Sequence, residues 1–534
     1  MSRKVLILLM VPVLVFALSL NIQAGEPIPE LELLTTTEDY DPVRYESAFM
    51  IQENLEELGI QVDVQPTEFS TLIETFYDEQ DFEIAISGWS GRVDRLDPQH
   101  FLGTLHSEQT DLGGNNPGGY VNERIDELFE KQEQEFDPEQ RREHVFEIQE
   151  IAVREQPKKV LFYRDEVPAY NAERFSGFEP MAGEGIYTEW LPFDAEPLTE
   201  DDVLTVGTSQ EPDNINPLDS TTVWGWKFMR LYYDKLVRLT PDVEPEPWAA
   251  ESIENIDDHT LEVVIRDDMS FHDGEPVTVE DVKFSYDYYM DQDFAYFRPF
   301  YEPLEYVEIV DDQTLHFVLE EPVANFVDVT MSQIPILPEH EWADIDEAAD
   351  LAPDEIPTVG SGPMEFEAYE AGEYKSLSVF EDHFAADDID ISGIDFITYA
   401  DAEGVFTGLI TEEVDMNAWR LEPGHIDPAT EEDHLEIVEV PDFGYYHMTY
   451  NLREEPLDDI DFRRALAHAV PQETIIDVLL DGLGEPGNSV IAPANPAWHN
   501  PDVEDFEYDI DRTQEKLEEA GYFIEDGRLH FPEE

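Results

Sequence analysis

The chain of 534 residues contains no cysteine. That excludes disulfides, thiolate metal sites, a cysteine nucleophile and a lipid-modified cysteine. Cations are scarce as well: 29 lysines and arginines face 126 aspartates and glutamates, a formal net charge of −97. Charged residues still make up 29% of the chain, close to the usual quarter, so carboxylates have replaced cations rather than joined them. A surface so poor in positive charge excludes nucleic acid and anionic membrane surfaces as partners. In dilute buffer its self-repulsion strains the compact state. At molar salt the Debye length falls to roughly 3 Å and the repulsion fades, so the composition implies adaptation to very high salt. Screening removes long-range steering too, which leaves the sign of any small ligand open. No internal repeat is found.

What is present supports folded domains. Apolar residues are 41% and aromatics 12%, and the length calls for two or three cores. Arg3 and Lys4 precede an apolar run, Val5 to Leu20, and the small-residue site "IQA" ends at Ala24. This is the layout of a secretory signal, with an uncleaved membrane anchor as the alternative. Residues 1–24 are therefore read as signal or anchor, and the remainder as lying outside the cytoplasm. "LELLTT", "QVDVQPTEF" and "EIAISGW" read as strands separated by helical patterns, an α/β alternation. A helical stretch from Asn122 to Glu155 breaks at Asp137–Pro138, and "KKVLFYRDEVPAY" reads as one strand. Pro192–Asp202, "PFDAEPLTEDD", is a linker rich in proline and acids. After it the chain starts afresh with "VLTVGT" at Val203.

Several stretches together resemble the extracytoplasmic solute-binding proteins of peptide/nickel-type ABC importers. They are "WAAESIENIDDHTLEVVIRDDMSFHDGEPVTVEDVKFSYDYYMD" (248–291), "VGSGPMEFEAYEAGEY" (359–374), "GYYHMTYNLREEPLDDIDFRRALAHAVPQETII" (444–476) and "SGWSGRVDRLDPQHFLGTLHSEQT" (87–110). The resemblance implies an α/β, two-lobed, periplasmic-binding-protein-like fold of type II, with a hinge and an interlobe cleft. It also implies a different order: material like Leu31 to Leu191 comes last in the family, and material like Val203 comes first. The chain therefore reads as a circular permutant. Its expected division is residues 30–175 and 439–534 in the ligand lobe, 176–202 as return and linker, and 203–438 as the other lobe. Eleven linker residues span up to about 36 Å. The opened ends are expected to meet, with Leu31–Thr36 antiparallel to Arg528–Phe531.

The implied function is delivery of di- or oligopeptides to a membrane permease by a monomeric binder, with no catalysis and no cofactor or metal. A secreted hydrolase and a membrane-tethered solute sensor are the alternatives. The candidate ligand residues are Trp89, Arg92, Asp94, Trp224 and Tyr446. Trp89 offers a packing surface, and Arg92 and Asp94 offer partners for a peptide's carboxylate and ammonium. Asp97 competes with Asp94 for the acidic role, and Trp224 and Trp226 share one loop. Tyr445 and Tyr446 alternate on a strand, so one faces a cleft and the other a core. "GLGEPG" follows a helix and holds a proline, which removes it as a nucleotide loop. "DIDISG" lacks the glutamate of a calcium loop. His447, alone on a strand, reads as structural.

Overall fold

In the computed structural model the described residues are 25–209, 215–220, 222–294, 297–370 and 374–533, without the side chains of residues 94, 299, 369 and 370. The leader read at 1–24 lies outside them. Among the described residues no helix is long and apolar enough to cross a membrane.

Leu31–Thr36 is buried at every position but Glu32. It runs parallel to Val62–Thr67, with Leu31 opposite Val62, and to Ile84–Trp89, with Leu33 opposite Ile84. Parallel strands covered on both faces read as continuous apolar runs. The helix between the first two strands, Pro42–Glu57, starts where Asp41 accepts from the amides of Val43 and Arg44, both at 3.1 Å, and Pro42 occupies its first turn. Both are helix-start signals. Val43, Ser47, Ile51 and Leu55 form its buried stripe, and each large apolar side chain so buried contributes about 1.5–3 kcal/mol.

The centre of this sheet comes from far along the chain. Tyr445–Tyr450 lies antiparallel between Ile84–Trp89 and Lys158–Glu166, with Tyr446 opposite both Gly88 and Phe162. Ile28, Leu31, Ile51, Met448, Phe462, Leu517 and Leu529 share one core. The two ends of the chain meet here, but not through the expected strand. Arg528–His530 pairs with Phe523–Glu525. Its N-terminal partner is the segment before Leu31: the Ile28 amide donates to Leu529 O and the Phe531 amide to Glu26 O, both at 2.9 Å. Leu31–Thr36 has a strand on each side and no free edge to offer. Gly59 completes the junction, since at its φ of +78° a Cβ would sit 2.9 Å from the Leu529 nitrogen.

The second lobe holds a seven-stranded sheet in which Val203–Thr208 runs parallel to Gly393–Thr398 and Met416–Asn417. Beside it is a four-stranded antiparallel sheet built from Ala250–Asp257, Thr260–Ile265, Thr314–Leu319 and Leu304–Ile309.

The chain passes between lobes twice, side by side. Lys158–Glu166 pairs with Val440–Pro441 in the first lobe, and Ala169–Asn171 pairs with Leu435–Ile437 in the second. The Val438 amide donates to Pro168 O at 2.9 Å at the crossing itself. The boundary read at 175 therefore moves to Val167–Pro168, and the single strand read through "KKVLFYRDEVPAY" is two. Proline has no amide to continue the ladder. The linker begins buried at Leu191, Pro192 and Ala195 and then runs over the surface to Asp202.

Candidate ligand cleft

The strand Ile84–Trp89 and the central strand Tyr445–Tyr450 stay paired to Trp89 and Tyr445, and tight turns follow at that end. A Cβ on Gly91 would lie 1.7 Å from Asp442 Oδ1, and one on Gly444 would lie 2.3 Å from Trp89 O. Only glycine fits either place. Asp442 locks the turns together by accepting from the Gly444 amide at 2.9 Å and the Gly91 amide at 3.3 Å. Burial, and then the neighbouring Glu166, push the Asp442 carboxyl well above the usual carboxylate range.

Above these turns lies a cavity of about 420 Å³, a size suited to a small organic ligand. The first lobe supplies most of its wall, including Tyr40, Asp41, Arg44, Phe69, Tyr77, Trp89, Arg95, Arg164, Asp442 and Tyr446; Trp419 and Arg420 come from the second. Tyr446 stacks on Phe162 with ring centres 4.6 Å apart and donates its hydroxyl to Asp41 at 3.1 Å. The Arg44 guanidinium sits 5.1 Å from the Tyr446 ring and 3.2 Å from Asp41. Arg95 lies 5.1 Å from the Trp89 ring and donates to Ser90 O at 2.8 Å. Arg420 donates to Glu166 at 3.0 Å, and Arg164 is 3.8 Å from Glu422. Burial works against the charge of Arg420, but Glu166, Tyr446 and Glu422 outweigh it and hold its pKa above the ordinary value.

Of the residues read from the sequence, Trp89 and Tyr446 stand on this wall. Trp224 does not; it packs edge-on against Trp419 at 4.8 Å and supports that ring from behind. Arg92 is buried and off the wall, directly before the short helix Val93–Arg95. The side chain of Asp94 lies outside the described residues. Asp97 is structural, since it caps Pro98–Gly103 by accepting from the Gln99 amide at 2.9 Å and pairs with buried Arg141 at 2.8 Å. Tyr445 and Trp226 are core residues. His447 is buried with Nδ1 2.8 Å from Thr449 Oγ1, and burial keeps its pKa well below the ordinary imidazole value.

Sequence reasoning missed the arginines. Arg44 carried a signal, since a cation in the first turn of a helix opposes the helix dipole. Arg164 ends the apolar run Val160–Tyr163, and Arg420 follows a tryptophan. Among the described residues, Asp273, His340 and Glu341 bring ligand atoms within 4.8 Å of one another, but all three are exposed and off the cleft wall.

Across the cleft from the crossing strands the lobes touch again. Asn325 Nδ2 donates to Gln99 Oε1 at 2.8 Å and the Ala324 amide to Glu133 O at 3.0 Å.

Residues 244–532 match the family model described as bacterial extracellular solute-binding proteins, family 5 Middle. The oligopeptide-binding protein AppA of Bacillus subtilis is 29% identical over 331 residues, which is 60% of this chain and 59% of that protein. The dipeptide-binding protein of Escherichia coli is 26% identical over 339 residues, 58% of this chain and 62% of that protein. Among solved structures, the ABC transporter substrate-binding protein CtaP of Listeria monocytogenes superposes with a TM-score of 0.52 at 24% identity, covering 61% of this chain and 66% of that one. A putative peptide-binding protein AppA from Clostridium difficile gives 0.51 at 19% identity, covering 60% and 66%. The matches thus span about three-fifths of the length of the curated relatives.

Proposed function

Because the chain belongs to the family 5 bacterial extracellular solute-binding proteins, with their two-lobed α/β fold, we propose that it binds a peptide between its lobes and delivers it to the permease of an ABC importer. The observation that carries this reading is the aromatic and charged cavity between two lobes joined by a paired crossing. Such a crossing lets the lobes part and close on a solute. The reading also draws on relatives named for oligopeptide and dipeptide binding. In it, Trp89 and Tyr446 pack against the ligand's apolar groups, and Trp224 acts through Trp419. No bond is made or broken; the family is named for binding. The protein works as a monomer, secreted or anchored by residues 1–24, in very high salt.

We also propose that the order is permuted. Residues 26–166 lie outside the matched segment, yet they supply the strands that flank Tyr445–Tyr450, and the two chain ends pair with each other.

The test is purification in molar NaCl, mass spectrometry of the co-purifying solute, and calorimetric titration with di- and tripeptides. Saturable binding of intact peptide at one per chain is expected. Recovery of cleaved peptide would overturn the reading in favour of a hydrolase. On dialysis to about 0.1 M NaCl, where the Debye length grows to roughly 10 Å, circular dichroism should show loss of the fold. An unchanged spectrum and melting point would remove the salt reading.

A further inference from the structure

The cleft wall inverts the composition of the chain. Acids outnumber bases 126 to 29 overall, but the wall carries Arg44, Arg95, Arg164 and Arg420 against Asp41 and Asp442. Neither aspartate balances the excess. Asp41 is engaged by Arg44, by the Tyr446 hydroxyl and by the start of its own helix. Asp442 is directed at two backbone amides, and its surroundings favour the neutral acid.

Arg44, Arg164 and Arg420 are not fully satisfied by the protein around them. Arg164 is buried, and its carboxylate neighbour Glu422 stands 3.8 Å away with a side chain 49% exposed. Arg420 donates to Glu166 through one nitrogen, while its Nε is buried with no hydrogen-bond acceptor. Arg44 is in the same condition at Nη1. A guanidinium has five donors, and leaving them unmet away from water is costly. A carboxylate, which takes two parallel N–H bonds from a guanidinium, removes that cost. Molar salt screens exposed charges far more than those in a closed cleft, so the wall retains its sign where the outer surface loses its influence.

We propose, resting on the peptide reading above, that the cleft selects acidic ligands: short peptides with a carboxylate side chain besides the terminal carboxylate. Arg164 from the first lobe and Arg420 from the second receive these groups, so that the anion ties the two lobes together.

Calorimetry in molar NaCl with Ala-Glu, Ala-Gln, Ala-Lys and the non-peptide tricarboxylate tricarballylate tests this. Ala-Glu should bind at least about tenfold tighter than Ala-Gln, and Ala-Lys should bind most weakly. Of R164Q and R420Q, the one that removes the partner of the side-chain carboxylate should abolish the preference for Ala-Glu while leaving Ala-Gln within about threefold, and the other, which removes the partner of the terminal carboxylate, should weaken Ala-Glu and Ala-Gln alike by about tenfold. R164K and R420K, which keep the charge but lose the two-pronged geometry, should each show the effect of the matching glutamine variant at a smaller size, with the fold intact by circular dichroism. Equal affinity for the three dipeptides would overturn the selectivity and leave peptide binding standing. Binding of tricarballylate alone would keep the anion selectivity and overturn the peptide reading, and binding of none of the four would overturn both.

Discussion

The lobe from Ala169 to Ile437 is continuous, whereas the lobe around Tyr445–Tyr450 is drawn from residues 25–166 and 440–533. They also treat buried cations differently. In the continuous lobe Lys227 pairs with Glu184 at 2.8 Å, Lys235 with Glu189 at 2.8 Å, and Arg238 with Asp234 at 3.5 Å and Glu189 at 3.6 Å. In the discontinuous lobe Lys158 donates to Thr104 Oγ1 at 3.0 Å and Lys159 to Gly487 O at 3.3 Å, both neutral acceptors. Burial lowers the pKa of each lysine to about 7. Beside ion pairs such as Asp97–Arg141, the discontinuous lobe therefore buries two amines that tend to give up their protons.

The largest expected effect is in the paired lobe. R238A leaves Asp234 and Glu189 short of a partner and should cost about 3–5 kcal/mol by chemical denaturation. In the discontinuous lobe, I28A opens a void where the chain ends meet and should cost about 2–4 kcal/mol. If I28A were neutral, the meeting of the ends would contribute nothing to that lobe.

A pH series sharpens the contrast. Between pH 7 and about 10 the folded protein holds fewer protons on Lys158 and Lys159 than the unfolded chain does, so unfolding free energy rises with pH. This stability is complete above the ordinary lysine pKa and is lost as the pH falls through about 7. The melting temperature should therefore climb from pH 7 to 9.5 at fixed molar salt, and K159M should flatten the climb. A flat wild-type profile would contradict neutral lysines.

The smallest effect is expected from reordering the chain. A variant that begins at Val203, joins residue 533 to residue 25 through a short loop, and ends at Asp202 keeps every strand pairing described. Its unfolding free energy should match the original within about 1 kcal/mol. Failure to fold would refute the permuted reading.

Much of this plan was legible because the chain carries local patterns: apolar strand runs, helical patterns between them, and the restart at Val203. What stayed hidden depends on pairing between distant segments. Whether Leu31–Thr36 or Glu26–Ile28 meets the C-terminal segment is decided by strands that occupy both edges of Leu31–Thr36. The crossing at Val167–Pro168 looked like uninterrupted strand, although its proline marked the break. The cleft arginines, at positions 44, 95, 164 and 420, share no spacing. They converge because the sheet order and the closure of two lobes bring them together. Trp89 was readable from the segment that resembles the family, and Tyr446 from the alternation of its strand, which puts one of Tyr445 and Tyr446 in the core.

The two passages between lobes, antiparallel neighbours on both sides and hydrogen-bonded at the crossing, behave as a two-ply ribbon. Such a ribbon flexes across its face but resists shear in its own plane, because shear must break the bonds between its plies. In the reading proposed above, such a ribbon confines the lobes to a swing about one axis, like a leaf hinge, and each closing stroke returns them to the same alignment. Arg164, two residues before the end of one ply, and Arg420, on the opposite leaf, then close like the jaws of a caliper, whose gap sets the span a solute must have to touch both.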